Sequence, residues 1–471
     1  MNYSDELEKD FMYVRDNLEK LDNLYEIQDT SIDNMNPIKR LVKRVVRKMT
    51  YWLIRPYWTQ QIEFNIALKN IVSDMYRIQT KLTYGDDFGN YGMLNMYNDN
   101  MDENYIELQG TKDPRIFQIV SSLNYGDAVG NDVMTIQRFL REKGYKTGIF
   151  TNHVHKRIPK GTAFSMGKLP KLREDDVIFY HFASEDPLSD FIKNAPCKVI
   201  LRYHNVTPPH FFKGYDANAE RNTKKGLHQI KELAPYIDYG IVVSEFNKSD
   251  LREMGYTCPI DVAPILIQFD DYKKTPSEEV VKEYSDGKTN IVFVGRMAPN
   301  KKVEDVISSF AEYKKTYDKD ARLFLVGNYS EGDKYYQFLV KHIKKLGVED
   351  VIFPGHIPFD EILAYYSIAD VFLCMSEHEG FCVPLVEAMF FNVPIIAYDS
   401  CAVPNTLDGT GVLIENKKWS EIAEQMHKIV ADEDYKKNLL AGEQKRLQDF
   451  DNEVIGEQIV ELICKYSSIK Q

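Results

Sequence analysis

Two carboxylates, Glu379 and Glu387, stand eight positions apart in the run Ser376–Ala397, S-E-H-E-G-F-C-V-P-L-V-E-A-M-F-F-N-V-P-I-I-A. An apolar strand, Asp370–Cys374, precedes them. Gly380 permits a tight turn with backbone close to a ligand. Pro384 suits the first helical position, where its missing N–H costs nothing. Leu385–Phe391 reads as a short buried helix, with Asn392 able to close it in the left-handed conformation before Pro394. Helix N–H groups and the positive end of a helix dipole are thus presented at a strand's C-terminal end, with an acid on each side. That is an anion site flanked by hydroxyl-binding groups. A nucleotide-sugar, a diphosphate between two polyols, has the matching chemistry. An isolated pair of glutamates at this spacing is more often a solvated helix cap; the flanking residues argue against that here.

A second cluster lies at Ile291–Lys302, I-V-F-V-G-R-M-A-P-N-K-K, which reads as strand, turn and helix start. Gly295 ends the strand, and Arg296 and Lys301 flank the loop. A departing nucleoside diphosphate develops negative charge, which cations and helix N–H groups can meet without a metal. In the N-terminal half, Arg202–Pro209, R-Y-H-N-V-T-P-P, follows another strand and sets His204 at its end. His181, ending the strand Val177–His181, is a weaker candidate, since a lone histidine is more often structural. Asn124–Asp132, N-Y-G-D-A-V-G-N-D, joins a strand to a helix without the G-x-G-x-x-G spacing, which disfavours nicotinamide and flavin.

These motifs together resemble the retaining glycosyltransferases of family 4, with the GT-B fold, and in particular a bacterial and archaeal branch carrying Y-H-N-x-T-P-P. The resemblance runs from Pro114 nearly to the C-terminus. It implies that Glu379 contacts the donor sugar and Glu387 the ribose. It implies that Arg296 and Lys301 meet the diphosphate, although Lys302 occupies a usual glycine position and leaves open which lysine does so. His204 would lie beside the donor sugar. Gly130 and Asn131 match the glycine loop over the donor phosphate. Backbone near Gly295, Gly380, Phe381, Cys382 and Val383 would complete the donor pocket, and the loop Gly355–Glu361, through Ile357, would meet the nucleobase. Cys382 and Asn392 replace common glycines of the broader family. The catalytic set so implied is His204, Glu379, Arg296 and Lys301, with no metal and no cofactor beyond the nucleotide-sugar substrate.

The elements that must position these residues follow from the alternation of short apolar strands with helices after Pro114. Strands are expected at Arg115–Ser122, Lys146–Phe150, Val177–His181, Lys198–Tyr203 and Tyr239–Val243. A second set is expected at Asn290–Val294, Arg322–Val326, Val351–Phe353, Val371–Cys374 and Pro394–Ala397. The pattern means parallel sheets covered on both faces. The fold class is therefore α/β, two Rossmann-like domains whose parallel sheets face a cleft, plus an N-terminal helical extension; the resemblance implies that this pair is GT-B. Expected domains are 1–112, the extension and linker; 113–280, the acceptor domain; 281–450, the donor domain; and 451–471, a helix crossing back to the first domain. The helix after the first strand is expected over Asp132–Lys143.

The extension is distinctive. Between Asn34 and Ile62 there is no acid, while Lys39, Arg40, Lys43, Arg44, Arg47, Lys48 and Arg55 crowd together. Ile38, Leu41, Val42, Val45, Val46 and Met49 share one helical face, and Trp52, Tyr57 and Trp58 follow. A basic amphipathic helix with interfacial aromatics suits an anionic membrane surface, here through residues 37–58; packing on its own domains or a second copy is the alternative. Thr83–Thr111 reads as a linker.

The 471 residues accommodate two Rossmann-sized domains and an extension. A net charge of −12 argues against nucleic acid as a partner. Six cysteines without C-x-x-C spacing read as reduced core thiols of a cytosolic protein, and the ten histidines suggest no metal cluster. No signal peptide and no spanning helix are expected. The partners expected are a nucleotide-sugar and a glycan or lipid-linked acceptor, at the inner face of the plasma membrane, and a homo-oligomer is compatible. The function expected is hexosyl transfer to a hydroxyl. The alternative is a catalytically silent GT-B subunit that binds glycan or stabilises a partner enzyme; a GT-B epimerase is disfavoured by the motifs.

Overall fold

The computed structural model describes residues 103–355 and 357–467. The basic segment 37–58 and the rest of the N-terminal extension lie outside the described residues.

Among the described residues, thirteen strands form two all-parallel sheets. The first contains β1 (Arg115–Leu123), β2 (Lys146–Val154), β3 (Phe164–Ser165), β4 (Val177–Phe182), β5 (Lys198–Tyr203), β6 (Tyr239–Val242) and β7 (Ile260–Val262), in the order β3-β2-β1-β4-β5-β6-β7. The second contains β8 (Asn290–Val294), β9 (Arg322–Val326), β10 (Val351–Gly355), β11 (Val371–Cys374), β12 (Ile395–Tyr398) and β13 (Val412–Ile414), in the order β10-β9-β8-β11-β12-β13. This is the GT-B arrangement: two Rossmann-like sheets, each with its order reversing beside the first strand. The strands read as apolar runs because both faces are covered: β4 is buried at every position, as are β9 and β11.

The order reverses between β1 and β4 in one sheet and between β8 and β11 in the other. Loops diverge at such points and leave a crevice at the strands' C-terminal ends. Both sequence clusters fall there: Gly295 and Arg296 follow β8, and Glu379 follows β11.

Several elements differ from the sequence reading. The helix after β1 runs Ala128–Glu142, four residues earlier than expected, because Asp127 caps it by accepting from the Gly130 N–H at 2.6 Å. Gly130 and Asn131 are therefore in its first turn, not in a loop. The end of the expected linker is helical, Glu103–Gly110, because Leu108 is buried against Gly148 and its carbonyl accepts from Arg115 Nη1 at 2.9 Å. The helix after β11 runs Val383–Phe390, so Pro384 holds its second rather than first position. The last helix, Asn452–Ser467, lies on the first sheet's layer: Tyr466 stacks on Tyr239 at 3.6 Å, and Gly456 admits the Phe139 ring.

Candidate functional site

Glu379 and Lys301 come from loops after neighbouring strands β11 and β8 and meet directly. Lys301 Nζ donates to Glu379 Oε1 at 2.6 Å and to Oε2 at 2.7 Å. Glu379 is 8% exposed, so the pair is largely buried. Burial is the largest influence and opposes the Lys301 charge, but the Glu379 carboxylate together with the nearby Cys382 and Cys374 holds the ammonium above its ordinary value.

Lys302 goes elsewhere. Its ammonium lies 3.4 Å from Glu377 and 3.7 Å from Glu304, and Glu377 is also paired with Lys417 at 2.8 Å. Of the two adjacent lysines, Lys301 is the one beside Glu379. Arg296 is exposed and forms no ion pair among the described residues.

The positions where the resemblance expects glycine explain themselves in backbone terms. Lys302, Cys382 and Asn392 all adopt positive φ, at 50°, 74° and 55°. They keep the left-handed conformation without the glycine, at a strain of order 1 kcal/mol for a side chain such as cysteine. Gly380 does not have positive φ. Its smallness serves close approach: an added Cβ would lie 2.5 Å from the His204 carbonyl oxygen and 2.7 Å from Asn205 Cβ. The Gly380 carbonyl also accepts from Ser244 Oγ at 2.7 Å. The two domains thus touch, backbone to backbone, at Gly380, which sets the His204 carbonyl beside the residue that follows Glu379.

Glu387 is one turn into the helix Val383–Phe390. Its Oε1 accepts from Tyr272 Oη at 2.7 Å and its Oε2 from Tyr366 Oη at 2.6 Å. Burial raises its pKa, and the two hydroxyls only partly oppose that. Each carboxylate oxygen keeps acceptor capacity beyond these bonds, enough for a vicinal diol. Phe381 is buried edge-on to Phe450, and Val383 opens the helix. Gly295 donates to the Val326 carbonyl at 2.9 Å, and Ile357 packs half-buried with Val292 and Phe324 beyond β10. Gly130 is packed so tightly that a Cβ would lie 2.2 Å from the Asn124 carbonyl oxygen. Lys301, Glu379, Gly380 and His204 are therefore brought together. Glu387 lies on the helix that follows Glu379, Gly130 and Asn131 lie in the first turn of the helix after β1, and Ile357 lies beyond β10.

The structure also recruits residues that the sequence did not announce. Asn300 donates to the His378 carbonyl at 3.1 Å. His378 is buried between Phe211 and Phe246, and burial pushes its pKa down to about 4. Arg202 binds Asp132 through Nε at 2.8 Å and Nη2 at 3.1 Å, both groups wholly buried. Two histidines do join one cluster, contrary to expectation: Asp132, His181 and His204 offer ligand atoms within 4.8 Å of one another, and a second group without histidine, Cys374, Glu379 and Cys382, does the same. In both clusters those atoms are used by neighbours. Asp132 faces Arg202, both His181 nitrogens are hydrogen-bonded, Glu379 faces Lys301, and the Cys374 thiol donates to Ser376 at 3.4 Å. All six cysteines are free thiols. Among the described residues no helix is long and apolar enough to cross a membrane.

Residues 276–446 match the family model described as glycosyl transferases group 1. The chain is 30% identical over 180 residues to the N-acetyl-alpha-D-glucosaminyl L-malate synthase of Bacillus anthracis, covering 37% of this chain and 45% of that one. The match thus spans less than half the length of that relative. It is 25% identical over 316 residues to the alpha-monoglucosyldiacylglycerol synthase of Acholeplasma laidlawii, covering 63% of this chain and 70% of the relative. The structure of Anabaena HepE in complex with UDP and glucose superposes with a TM-score of 0.56 at 18% identity, over 75% of this chain and 100% of that one. The fold is GT-B, and its second half resembles the group 1 glycosyl transferases.

Proposed function

We propose that the chain is a metal-independent, retaining glycosyltransferase that moves a hexosyl group from a nucleotide-sugar to a hydroxyl of a glycan or lipid-linked acceptor in cell-surface glycoconjugate synthesis. The observation that carries this reading is the Lys301–Glu379 pair, set at the switch point of the second sheet and pressed through Gly380 against His204. When a donor enters, its diphosphate can take the Lys301 ammonium in place of one carboxylate oxygen, with Arg296 free to add a second cation. Glu379 is then left to accept from sugar hydroxyls, and Glu387 from the ribose. Loss of the leaving group is helped by charges already in position, worth roughly 2.7–4 kcal/mol of barrier for each preorganised donor. No protein nucleophile is required if the leaving phosphate helps deprotonate the acceptor on the same face.

The similarity to a diacylglycerol glucosyltransferase and the basic segment 37–58 favour an acceptor held at an anionic membrane face. The test is release of nucleoside diphosphate from UDP-, GDP- and ADP-sugars by the full-length protein, with and without a bacterial lipid extract, in excess chelator. Turnover in chelator supports the reading. Turnover that needs an added divalent ion refutes metal independence, and no turnover with any donor returns the chain to the silent-subunit reading.

A further inference from the structure

Behind His204 runs a chain of buried hydrogen bonds whose direction is fixed at its far end by backbone carbonyls. Gln137 Nε2 donates to the Thr147 carbonyl at 3.0 Å, so its Oε1 must be the acceptor for Gln118 Nε2, at 2.9 Å. Gln118 Nε2 also donates to the Val133 carbonyl at 3.2 Å. A carbonyl can only accept, so the amide orientation is not free, and Gln118 Oε1 is left as an acceptor. It faces His181 Nε2 at 2.9 Å, which must therefore carry the proton. His181 is 2% exposed, and burial, with His204 beside it, drives its pKa well down, so it is neutral and its Nδ1 is bare. That bare Nδ1 lies 3.2 Å from His204 Nε2, which must then donate. His204 is neutral too, its pKa driven down by burial and by the Arg202 guanidinium. The remaining nitrogen, His204 Nδ1, is consequently an unprotonated acceptor. It is buried and has no hydrogen-bond partner, on a side chain 2% exposed.

A bare buried acceptor costs free energy unless a ligand supplies a donor. The nearest charged groups do not supply one. Asp132 Oδ2 is 3.8 Å from His204 Nε2, not Nδ1, and Arg202 is committed to Asp132 and to the Ala263 and Pro264 carbonyls. We propose that Gln118 and His181 are positioning residues that lock His204 in the Nε2–H form, so that its Nδ1 accepts a hydrogen bond from a hydroxyl of the bound sugar. The site selects a sugar carrying a hydroxyl there and disfavours one with a carboxylate or a methyl group, since neither can donate. This rests on the donor-site reading above for the identity of the ligand, but the tautomer stands on the hydrogen bonds and on the burial that keeps both rings neutral.

The test is nitrogen-15 NMR of the histidine rings in the full-length protein, with His204 assigned by loss of its signals in His204→Asn. The expected spectrum shows His204 protonated at Nε2 and bare at Nδ1 from about pH 6 to 8. A protonated Nδ1, or a charged ring at neutral pH, overturns the proposal. Gln118→Leu removes the acceptor for His181. It is expected to mix the tautomers of both rings and lower kcat/KM by about 5- to 10-fold, the size of one net hydrogen bond. Retention of the wild-type ring signals in folded Gln118→Leu protein also overturns it. If that variant does not fold, the wild-type spectrum decides alone. Binding of UDP, GDP or ADP is measured in parallel. Nucleotide binding with the wrong tautomer refutes the relay and leaves the donor site standing. The expected tautomer without any nucleotide binding refutes the donor site and leaves the relay.

Discussion

Replacing Glu443 with glutamine should remove a large pH dependence from the stability of the second domain. Glu443 lies on the helix Glu433–Leu447, wholly buried. Its Oε1 accepts from the Ile395 N–H at 3.0 Å, at the start of β12, and its Oε2 has no partner. Burial pushes its pKa from 4.5 up to about 8, the Ile395 bond only partly opposing it. The folded chain therefore keeps a proton that the unfolded chain has released once the pH exceeds 4.5. Stability from this group is complete below 4.5 and is lost as pH rises to about 8. Each pH unit is worth about 1.4 kcal/mol, so the window contributes about 5 kcal/mol. Glu443→Gln carries no titrating proton and still accepts from Ile395. Its amide nitrogen, placed where Oε2 was, adds a constant cost of about 1–3 kcal/mol. Urea denaturation of both proteins at about pH 5, 6, 7 and 8.5 should show the variant gaining on the wild type by about 1.4 kcal/mol per pH unit, then levelling. Parallel stability curves would refute the reasoning.

Gly380→Ala should lower both activity and melting temperature, because the new methyl must displace the His204 backbone, 2.5 Å away; unchanged kinetics and melting would remove the close-approach argument. Lys302→Ala should leave nucleotide affinity at the wild-type value, since its partners are Glu304 and Glu377; a loss in calorimetric titration would show that both lysines face the donor. Full-length protein should sediment with anionic vesicles at low salt, each basic residue of 37–58 adding roughly 1 kcal/mol; a chain lacking residues 1–98 should not. Supernatant protein at every salt concentration would refute a membrane role for residues 37–58.

Much of the fold is legible because doubly covered parallel strands must be apolar runs, and runs of four to six such residues survive reading by eye. The edge strands β3, β7 and β13 are missed. They span only two or three residues, too short to stand out, and in β7 an aspartate interrupts Ile260 and Val262. The helix at Ala128 is missed at its start because its capping residue, Asp127, sits inside a stretch that otherwise reads as glycine loop. At the site, the charged residues are legible by type and spacing along a strand-loop-helix unit. What they touch is not. Tyr272 reaches Glu387 from 115 positions away, and Gln118 reaches His181 from 63. Gly380 shows the same limit: sequence gives its smallness, and only the fold shows that the space is filled by another domain's backbone.

The central claim is that Lys301 and Glu387 hold a nucleoside diphosphate. The direct measurement is isothermal titration of UDP, GDP and ADP into the wild type, Lys301→Ala and Glu387→Ala, with circular dichroism to show that each is folded. The account predicts that one nucleotide binds the wild type. It predicts that Lys301→Ala and Glu387→Ala each weaken that binding, by about 10-fold or more for a charge-assisted hydrogen bond. Wild-type affinity in both folded variants would contradict it.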